Sequence, residues 1–157
     1  MPTITPSLWF DNNLEEAARF YVSVFPNSSI EQVNRYTDAG PGTPGEVVSA
    51  TFVLDGNRFV GINGGPQFRF TEAVSFVVLC KDQDEVDYYW DRLTEGGEES
   101  QCGWLKDRYG LSWQIVPERL YELLDDPDPA RSAAATAAML GMRKIVIADL
   151  EAAVRGS

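Results

Sequence analysis

The order of hydrophobic periodicities along this chain occurs twice, and that repetition restricts its fold more than any other feature. In each half, a segment whose apolar residues alternate with period two precedes a segment with helical spacing. Asp11 precedes the first helical segment, Asp82 precedes the second, and further alternating segments follow each one. The halves share this pattern rather than residue identities. The pattern predicts two modules, each with one strand, one helix and then further strands.

The first module is predicted from alternation, helix-capping residues and one turn. Residues 3–10 alternate, with Thr5, Ser7 and Trp9 on one face. Asp55-Gly56-Asn57 is typical of a hairpin turn. The predicted elements are a strand at 3–10, a helix at 13–24 and strands at 30–36, 46–54 and 58–63.

The second module follows the same order and leads into a helical tail. Either Asp82 or Asp84 is a candidate helix cap, and Gly96-Gly97 ends that helix. Asp107–Gly110 is predicted to be a turn, with Asp107 and Arg108 forming an exposed pair of little energetic weight. The predicted strands are 73–80, 100–106 and 111–116, and the predicted tail helices are 119–124, 130–140 and a last helix containing Ile147, Leu150 and Val154.

Composition restricts the partners of the chain. The 157 residues carry a net charge of −11, which repels nucleic acid phosphates, so no nucleic acid partner is expected. No apolar run reaches the roughly 20 residues of a membrane span, and the first residues lack the pattern of a secretory signal. A cytoplasmic protein with no membrane partner is expected, in which Cys80 and Cys102 are buried, reduced thiols.

The chain contains no histidine. This absence removes Ser-His-Asp and Cys-His nucleophile pairs, the usual general base near neutral pH and the commonest metal ligand. Two cysteines far apart in sequence also lack the spacing of a zinc site. A metal centre built from ordinary ligands is therefore not expected.

Four segments carry a resemblance to a known family: ITPSLWFDNNLEEAARFY at 4–21, LDGNRFVGINGGP at 54–66, CGWLKDRYGLSWQIVP at 102–117 and MLGMRKIVIADLEAA at 139–153. The chain resembles the PhnB-like, or 3-demethylubiquinone-9 3-methyltransferase-like, branch of the vicinal-oxygen-chelate superfamily, which includes glyoxalases and bleomycin-resistance proteins. The resemblance implies an α+β fold of two paired βαβββ modules, at 1–66 and 67–117, with a C-terminal helical extension at 118–157. It also implies a homodimer, and in each module a curved sheet with its helix outside and a cavity inside.

The resemblance further implies where metal ligands would lie in an enzyme of the superfamily. Those positions fall near Thr5, Asn63, Ser75 and Gln114. Gln114 is counted from the turn before it, whereas the register of the other three can shift by one residue. All four side chains offer neutral oxygens, which rarely anchor a divalent ion. We therefore predict no metal and no cofactor, and the glycines do not form the strand-to-helix turn of a nucleotide-type methyl donor site.

Alternation predicts which side chains line a cavity. In the last strand, Leu111, Trp113 and Ile115 are expected beneath the helix, and Ser112, Gln114 and Val116 toward the cavity. The predicted ligand-binding residues, which are polar or aromatic side chains of the strands, are Thr5, Ser7, Trp9, Ser49, Thr51, Asn63, Ser75, Trp104 and Gln114.

Three functions fit these residues. The favoured hypothesis is a metal-free protein that binds a small organic molecule. The alternative is a superfamily enzyme, of lyase, isomerase, dioxygenase or methyltransferase type, that uses a carboxylate base or unusual metal ligands. A third hypothesis makes the C-terminal helices a docking surface for a partner protein.

Overall fold

The computed structural model describes residues 2–156, so Met1 and Ser157, which bound the first predicted module and the predicted extension, lie outside it. The chain divides into two compact units, of which the first ends at Arg69 and the second begins at Phe70. Each unit contains one four-stranded sheet, and together they confirm the α+β class expected from the sequence.

The first unit has a mixed sheet in the order β1-β4-β3-β2. Strand β1 runs parallel to β4, and the other neighbours are antiparallel. The first strand is shorter than residues 3–10, because pairing with β4 begins at Ser7 and Ile4 is 97% exposed. The elements are β1 (Ser7–Phe10), α1 (Leu14–Val24), β2 (Ser29–Arg35), β3 (Val47–Leu54) and β4 (Asn57–Asn63).

Helix α1 covers one face of this sheet. Leu14 and Tyr21 are fully buried, and the ring of Tyr21 stacks on Phe52 of β3. Gly61 of β4 permits the close approach of the helix, because a Cβ atom there would overlap the Leu14 side chain. The apolar face of the helix and the apolar face of the sheet therefore form one core.

The second unit repeats this plan with the order β5-β8-β7-β6 and adds three helices. Strand β5 is parallel to β8, and β8-β7 and β7-β6 are antiparallel. The elements are β5 (Ser75–Cys80), α2 (Gln83–Thr94), β6 (Glu98–Glu99), β7 (Trp104–Lys106), β8 (Ser112–Pro117), α3 (Glu118–Leu124), α4 (Pro129–Leu140) and α5 (Ile147–Arg155).

The single strand expected at 100–106 is two short strands, β6 and β7. Between them, Cys102 and Gly103 have φ angles of 60° and 85°, which are left-handed and end an extended segment. Gly103 is required there, because an added Cβ would crowd the Ile115 carbonyl and Ile145. No disulfide forms: Cys102 is half-buried, while Cys80 is buried, and that burial raises the pKa of the Cys80 thiol to about 12.

Asp82 caps the N-terminus of helix α2: its side chain accepts a hydrogen bond from the Glu85 amide at 2.9 Å. The helix packs on β7 and β8. Its inward residues are buried, as are the strand residues beneath it, which include the Trp113 and Ile115 side chains assigned to this side by alternation. The packing of the last strand beneath the helix is as predicted.

The C-terminal helices belong to the second unit. Val116 of β8 lies in a buried cluster with residues of all three helices, among them Leu120, Ala135 and Leu150. Gln83 of α2 hydrogen-bonds the backbone at the beginning of α5. Its Nε2 donates to the Ile145 carbonyl at 3.0 Å, and its Oε1 accepts from the Ile147 amide at 2.8 Å. None of the helices found within residues 2–156 has the length and apolar character needed to cross a membrane.

Candidate functional site

Each sheet has a face covered by its helix and a second face, here called the open face. In the first unit, strand register places Ser7 and Trp9 of β1 on the open face, with Val60 and Ile62 beside them. Ser49 pairs with Ile62, and Thr51 pairs with Val60, so both also belong to this face. Thr5 lies ahead of β1 and is half-buried.

The indole of Trp9 is held by the segment that follows β4. Its Nε1 donates to the Gly65 carbonyl at 2.9 Å, and the Phe68 ring meets it edge-on with ring centroids 4.9 Å apart. Gly64 lets this segment close on the indole, because a Cβ atom there would overlap the ring. Trp9 therefore forms a fixed aromatic wall on the open face.

Two polar residues of this face were missed in the sequence-based prediction. Gln32 donates to Asn34, and Asn34 donates to the Ser49 hydroxyl, each over 2.9 Å. Both residues lie in β2, opposite Thr51 and Ser49. Alternation within residues 30–36 could have identified them, because they fall on the face away from Val33.

Asn63 lies on the opposite face from the other predicted residues of this unit. It pairs with Phe10, its Oδ1 accepts from the Leu14 amide at 3.1 Å, and its Nδ2 donates to the Val47 carbonyl at 3.1 Å. Asn63 therefore stabilises the beginning of α1, in place of Asn13, whose side chain makes no capping bond. The adjacent residue, Ile62, occupies the open-face position, because a shift of one residue reverses the face.

A cleft of about 480 Å³ adjoins the beginning of α1 on the helix side. Arg35 crosses it, with its guanidinium 3.2 Å from the Glu15 carboxylate and 3.1 Å from the Gly45 carbonyl. Of the predicted site residues, only Asn63 contributes to it. The cleft is lined by Asn12, Asn13, Glu15, Glu16, Arg35, Glu46, Val47 and Asn63.

In the second unit, the open face brings together three of the predicted residues. Gln114 Nε2 donates to the Ser75 hydroxyl over 2.9 Å. Trp104 lies directly opposite Gln114 in the antiparallel β7-β8 pair. Val77 lies beside Gln114 in β5, and its side chain is 48% exposed. Amide, hydroxyl, indole and aliphatic groups therefore share one surface.

Ser112 is the most deeply buried polar residue of this face. It is 0% exposed, and its hydroxyl has no hydrogen-bond partner within residues 2–156. It adjoins a small cavity of about 150 Å³. Besides Ser112, this cavity, here called the Ser112 cavity, is lined by Glu72, Glu98, Glu99, Ser100, Trp104, Leu105 and Lys106.

An ion pair crosses the strand that carries Ser112. Lys106 of β7 lies opposite Ser112, and its Nζ is 2.5 Å from the carboxylate of Glu72, which precedes β5. Because β8 lies between β7 and β5, the pair links β7 to the segment that precedes β5, on the other side of β8. The hydrogen bond and charge of Lys106 lower the pKa of Glu72, and those of Glu72 raise the pKa of Lys106.

Two expectations for this part of the chain were wrong. Of the three β8 side chains expected toward the cavity, only Ser112 lines the Ser112 cavity: Gln114 lies beyond its lining on the same face, and Val116 is buried in the helical cluster. Asp107 is 3% exposed rather than an exposed partner of Arg108. Its carboxylate accepts from the Tyr109 and Leu111 amides and, at 2.9 Å, from the Trp113 indole.

The donors of the open faces do not fit a divalent metal ion. Ser75 and Gln114 are neutral and hydrogen-bond each other, and Glu72 is engaged by Lys106. Within residues 2–156, no three Cys, Asp or Glu side chains form a group that could hold a metal. A nucleotide-type cofactor fits no better, because Gly64-Gly65 packs against Trp9 and leads into no helix.

Comparisons with known proteins agree with this architecture. The family model for 3-demethylubiquinone-9 3-methyltransferase matches residues 2–116. A putative 3-demethylubiquinone-9 3-methyltransferase, the PhnB protein from Bacillus cereus, is 37% identical, with a TM-score of 0.68 over 74% of this chain and 99% of its own. No curated protein matches the chain.

More distant solved structures share the fold. A protein from Pseudomonas aeruginosa is 19% identical, with a TM-score of 0.63 over 75% of this chain and 98% of its own. The fosfomycin resistance protein FosX from Listeria monocytogenes is 16% identical, with a TM-score of 0.57 over 79% and 97% of the two chains. These two structures show a shared fold, that of the vicinal-oxygen-chelate superfamily. The family-model match and the 37% identical PhnB protein establish that the chain belongs to the PhnB-like, 3-demethylubiquinone-9 3-methyltransferase family.

Proposed function

We propose that this chain is a metal-free protein that binds a small organic molecule on the open face of its second unit. The observation that carries the proposal is the Ser112 hydroxyl, which is fully buried beside a cavity and makes no hydrogen bond within residues 2–156. Buried hydroxyls in folded proteins are almost always satisfied by the protein, by water or by a ligand. A polar group of a ligand would supply the bond that Ser112 lacks.

The neighbouring side chains suit the same role. Gln114 uses one amide hydrogen on Ser75, and an amide has further donor and acceptor capacity. Trp104 and Val77 add apolar surface on either side of Gln114. A few oriented polar groups on an otherwise apolar surface are typical of small-molecule sites.

The alternative is a superfamily enzyme that uses a carboxylate base or unusual metal ligands, or the methyltransferase that the family description names. Glu72 lines the Ser112 cavity, but Lys106 lowers its pKa and so makes it a weak base. Titration with Co²⁺ followed by visible absorption distinguishes the two functions. Stoichiometric, tight Co²⁺ binding would support the enzyme and contradict the metal-free proposal.

The binding proposal is tested with Gln114→Leu. A fragment library is screened by NMR against the original protein, and the affinity of each fragment that shifts the Gln114 side-chain amide is measured again with the variant. Loss of the amide's hydrogen bonds should weaken binding about five- to tenfold. Gln101→Leu, at an exposed position outside the strands of the open face, is the matched control. Equal affinities for the original protein and Gln114→Leu would remove Gln114 from the site.

We also propose that the protein is a homodimer. In support, β5 is an edge strand whose open face carries Val77 and Leu79 at 48% and 53% exposure. Apolar surface of this kind is commonly covered in an assembly. Sedimentation equilibrium should give twice the mass of the chain, and Leu79→Glu should shift the equilibrium toward monomers. A monomeric original protein at micromolar concentration would contradict the dimer.

A further inference from the structure

We propose that the ligand of the Ser112 cavity is a small organic cation whose charged nitrogen binds between the Ser112 hydroxyl and the carboxylates on either side of Lys106. This inference rests on the proposed function and adds to it the charge and the chemical class of the ligand. It is carried by three observations: the two carboxylates around Lys106, the unsatisfied hydroxyl of Ser112, and the indole on the same face.

Carboxylates outnumber cations on this part of the open face. Glu72 is bonded to Lys106 at 2.5 Å, and Glu98 of β6 lies directly opposite Lys106 in the sheet register. Glu99 also borders the cavity, but its Oε1 accepts from the Trp90 indole on the helix side at 2.8 Å. Lys106 therefore neutralises only one of the two open-face carboxylates. An anionic ligand would meet the repulsion of Glu98.

Lys106 shows that an ammonium group fits beside Glu72, although it makes no hydrogen bond to Ser112. Its side chain is 37% exposed and that of Glu72 is 61% exposed, so the ion pair is accessible and weak. A long lysine side chain can extend into water and leave the carboxylates to another cation. The ligand nitrogen and Lys106 would then compete for Glu72 and Glu98.

The remaining contacts favour a nitrogen cation on an organic frame. Ser112 lies opposite Lys106, and its hydroxyl can accept a hydrogen bond from an ammonium N–H. Trp104 is on the same strand and face as Lys106, two residues away, and an indole face attracts cations. The indole offers no lone pair to a metal ion, whereas it gives an organic ammonium both cation–π attraction and apolar contact. The net charge of −11 also raises the local concentration of cations around the chain.

The competition between ligand and lysine gives a test in which removal of a positive charge strengthens binding. Benzylammonium is titrated into ¹⁵N-labelled protein, with benzyl alcohol and benzoate as the neutral and anionic probes of the same frame. Signals of Ser112 and the Trp104 indole report the site. Lys106→Met should raise the affinity for benzylammonium about fivefold, because the ligand then no longer competes with an accessible Lys106 for the carboxylates. Lys144→Met, which breaks the Lys144–Asp87 pair at 2.9 Å, is the matched control with the same charge change.

Two further variants test the assigned contacts. Glu98→Gln and Ser112→Ala should each weaken benzylammonium binding severalfold, and circular dichroism establishes that each variant is folded. Equal affinities in Lys106→Met and Lys144→Met would overturn the inference. Preference for benzyl alcohol or benzoate at the same signals would also overturn it, while leaving the proposed small-molecule function intact. Absence of any benzylammonium shift at Ser112 and Trp104 would overturn the inference as well, and the fragment screen would then decide the proposed function separately.

Discussion

At the scale of single residues, Asp107 organises the hairpin between β7 and β8 through both oxygens of its carboxylate. Oδ1 accepts from two backbone amides of the turn, and Oδ2 accepts from the Trp113 indole over 2.9 Å. The side chain is almost completely buried, so water cannot replace these bonds. The turn and the core residue beneath α2 are therefore joined by one charged group.

Replacement of this carboxylate by an amide should destabilise the protein. In Asp107→Asn, an NH₂ group can face the Trp113 N–H, and one buried donor then loses its acceptor, at a cost of about 2 kcal/mol. Urea denaturation followed by fluorescence measures the loss. Asp91→Asn on the exposed side of α2 is the control. Because Trp113→Phe removes the indole N–H, the double variant Asp107→Asn/Trp113→Phe should lose less stability than the sum of the losses of the two single variants. An unchanged denaturation midpoint for Asp107→Asn would contradict this role.

The face on which a side chain lies was predicted more reliably for a residue counted from a turn than for a residue in a strand without such a reference. Gln114 is counted from the turn that Asp107 organises, and it lies on the open face as expected. Asn63 has no such reference, and a shift of one residue places it on the helix side. The burial of Asp107 could not be predicted from the sequence, because its partner Trp113 is supplied by the returning strand.

At the scale of elements, one side chain of α2 hydrogen-bonds the backbone on both sides of the beginning of α5. Gln83, at the beginning of α2, bonds the Ile145 carbonyl and the Ile147 amide, and so caps the first turn of α5. The cluster formed by α3, α4, α5 and Val116 lies behind this contact.

Removal of the Gln83 side-chain amide should destabilise α5 more than it destabilises the sheet. Gln83→Ala leaves the Ile147 amide and the Ile145 carbonyl without their partner, at a cost of about 1–3 kcal/mol. Hydrogen exchange should therefore accelerate at residues 147–154 more than at residues 112–117. Gln101→Ala is the matched control at an exposed position. Uniform acceleration, or none, would show that Gln83 does not hold the tail.

The existence of most elements could be predicted from the sequence, and their ends less well. Helical spacing identified α1, α2 and α5, because each has an apolar face directed at a core, and the alanine-rich composition of residues 130–140 identified α4. The division of 100–106 into two strands was missed. Its cause is the left-handed backbone at Cys102, a conformation that a non-glycine residue rarely adopts and that sequence patterns do not report.

At the scale of the whole molecule, the charges of the second unit make its stability depend on pH. Hydrogen bonds from Arg119 lower the pKa of Glu151, and bonds from Gln83 and Lys144 lower that of Asp87. A carboxyl whose pKa is lower in the folded chain stabilises it above the ordinary carboxyl pKa. This contribution is lost as the pH falls through the lowered, folded-state value.

The Arg119–Glu151 pair should account for part of the acid sensitivity. In Arg119→Met, Glu151 loses the main cause of its lowered pKa, so the fall in melting temperature from pH 7 to pH 3 should be smaller than in the original protein. Differential scanning calorimetry at both pH values measures this difference. Arg69→Met, an exposed position in the first unit, is the control for the charge change. Equal falls in all three proteins would contradict the assignment.

The strict alternation along β8 has a consequence for how such a protein can change during evolution. Trp113 and Ile115 pack beneath the helix on one side, while Ser112 and Gln114 lie on the other, where we propose that the ligand binds. Point substitutions at the recognition positions can therefore replace one ligand preference by another with little loss of foldability. An inserted residue in β8 would move the side chains that pack beneath the helix to the open face, and those of the open face to the helix side. Descendants of this chain should diversify by substitution in β8 and accept insertions only in its loops.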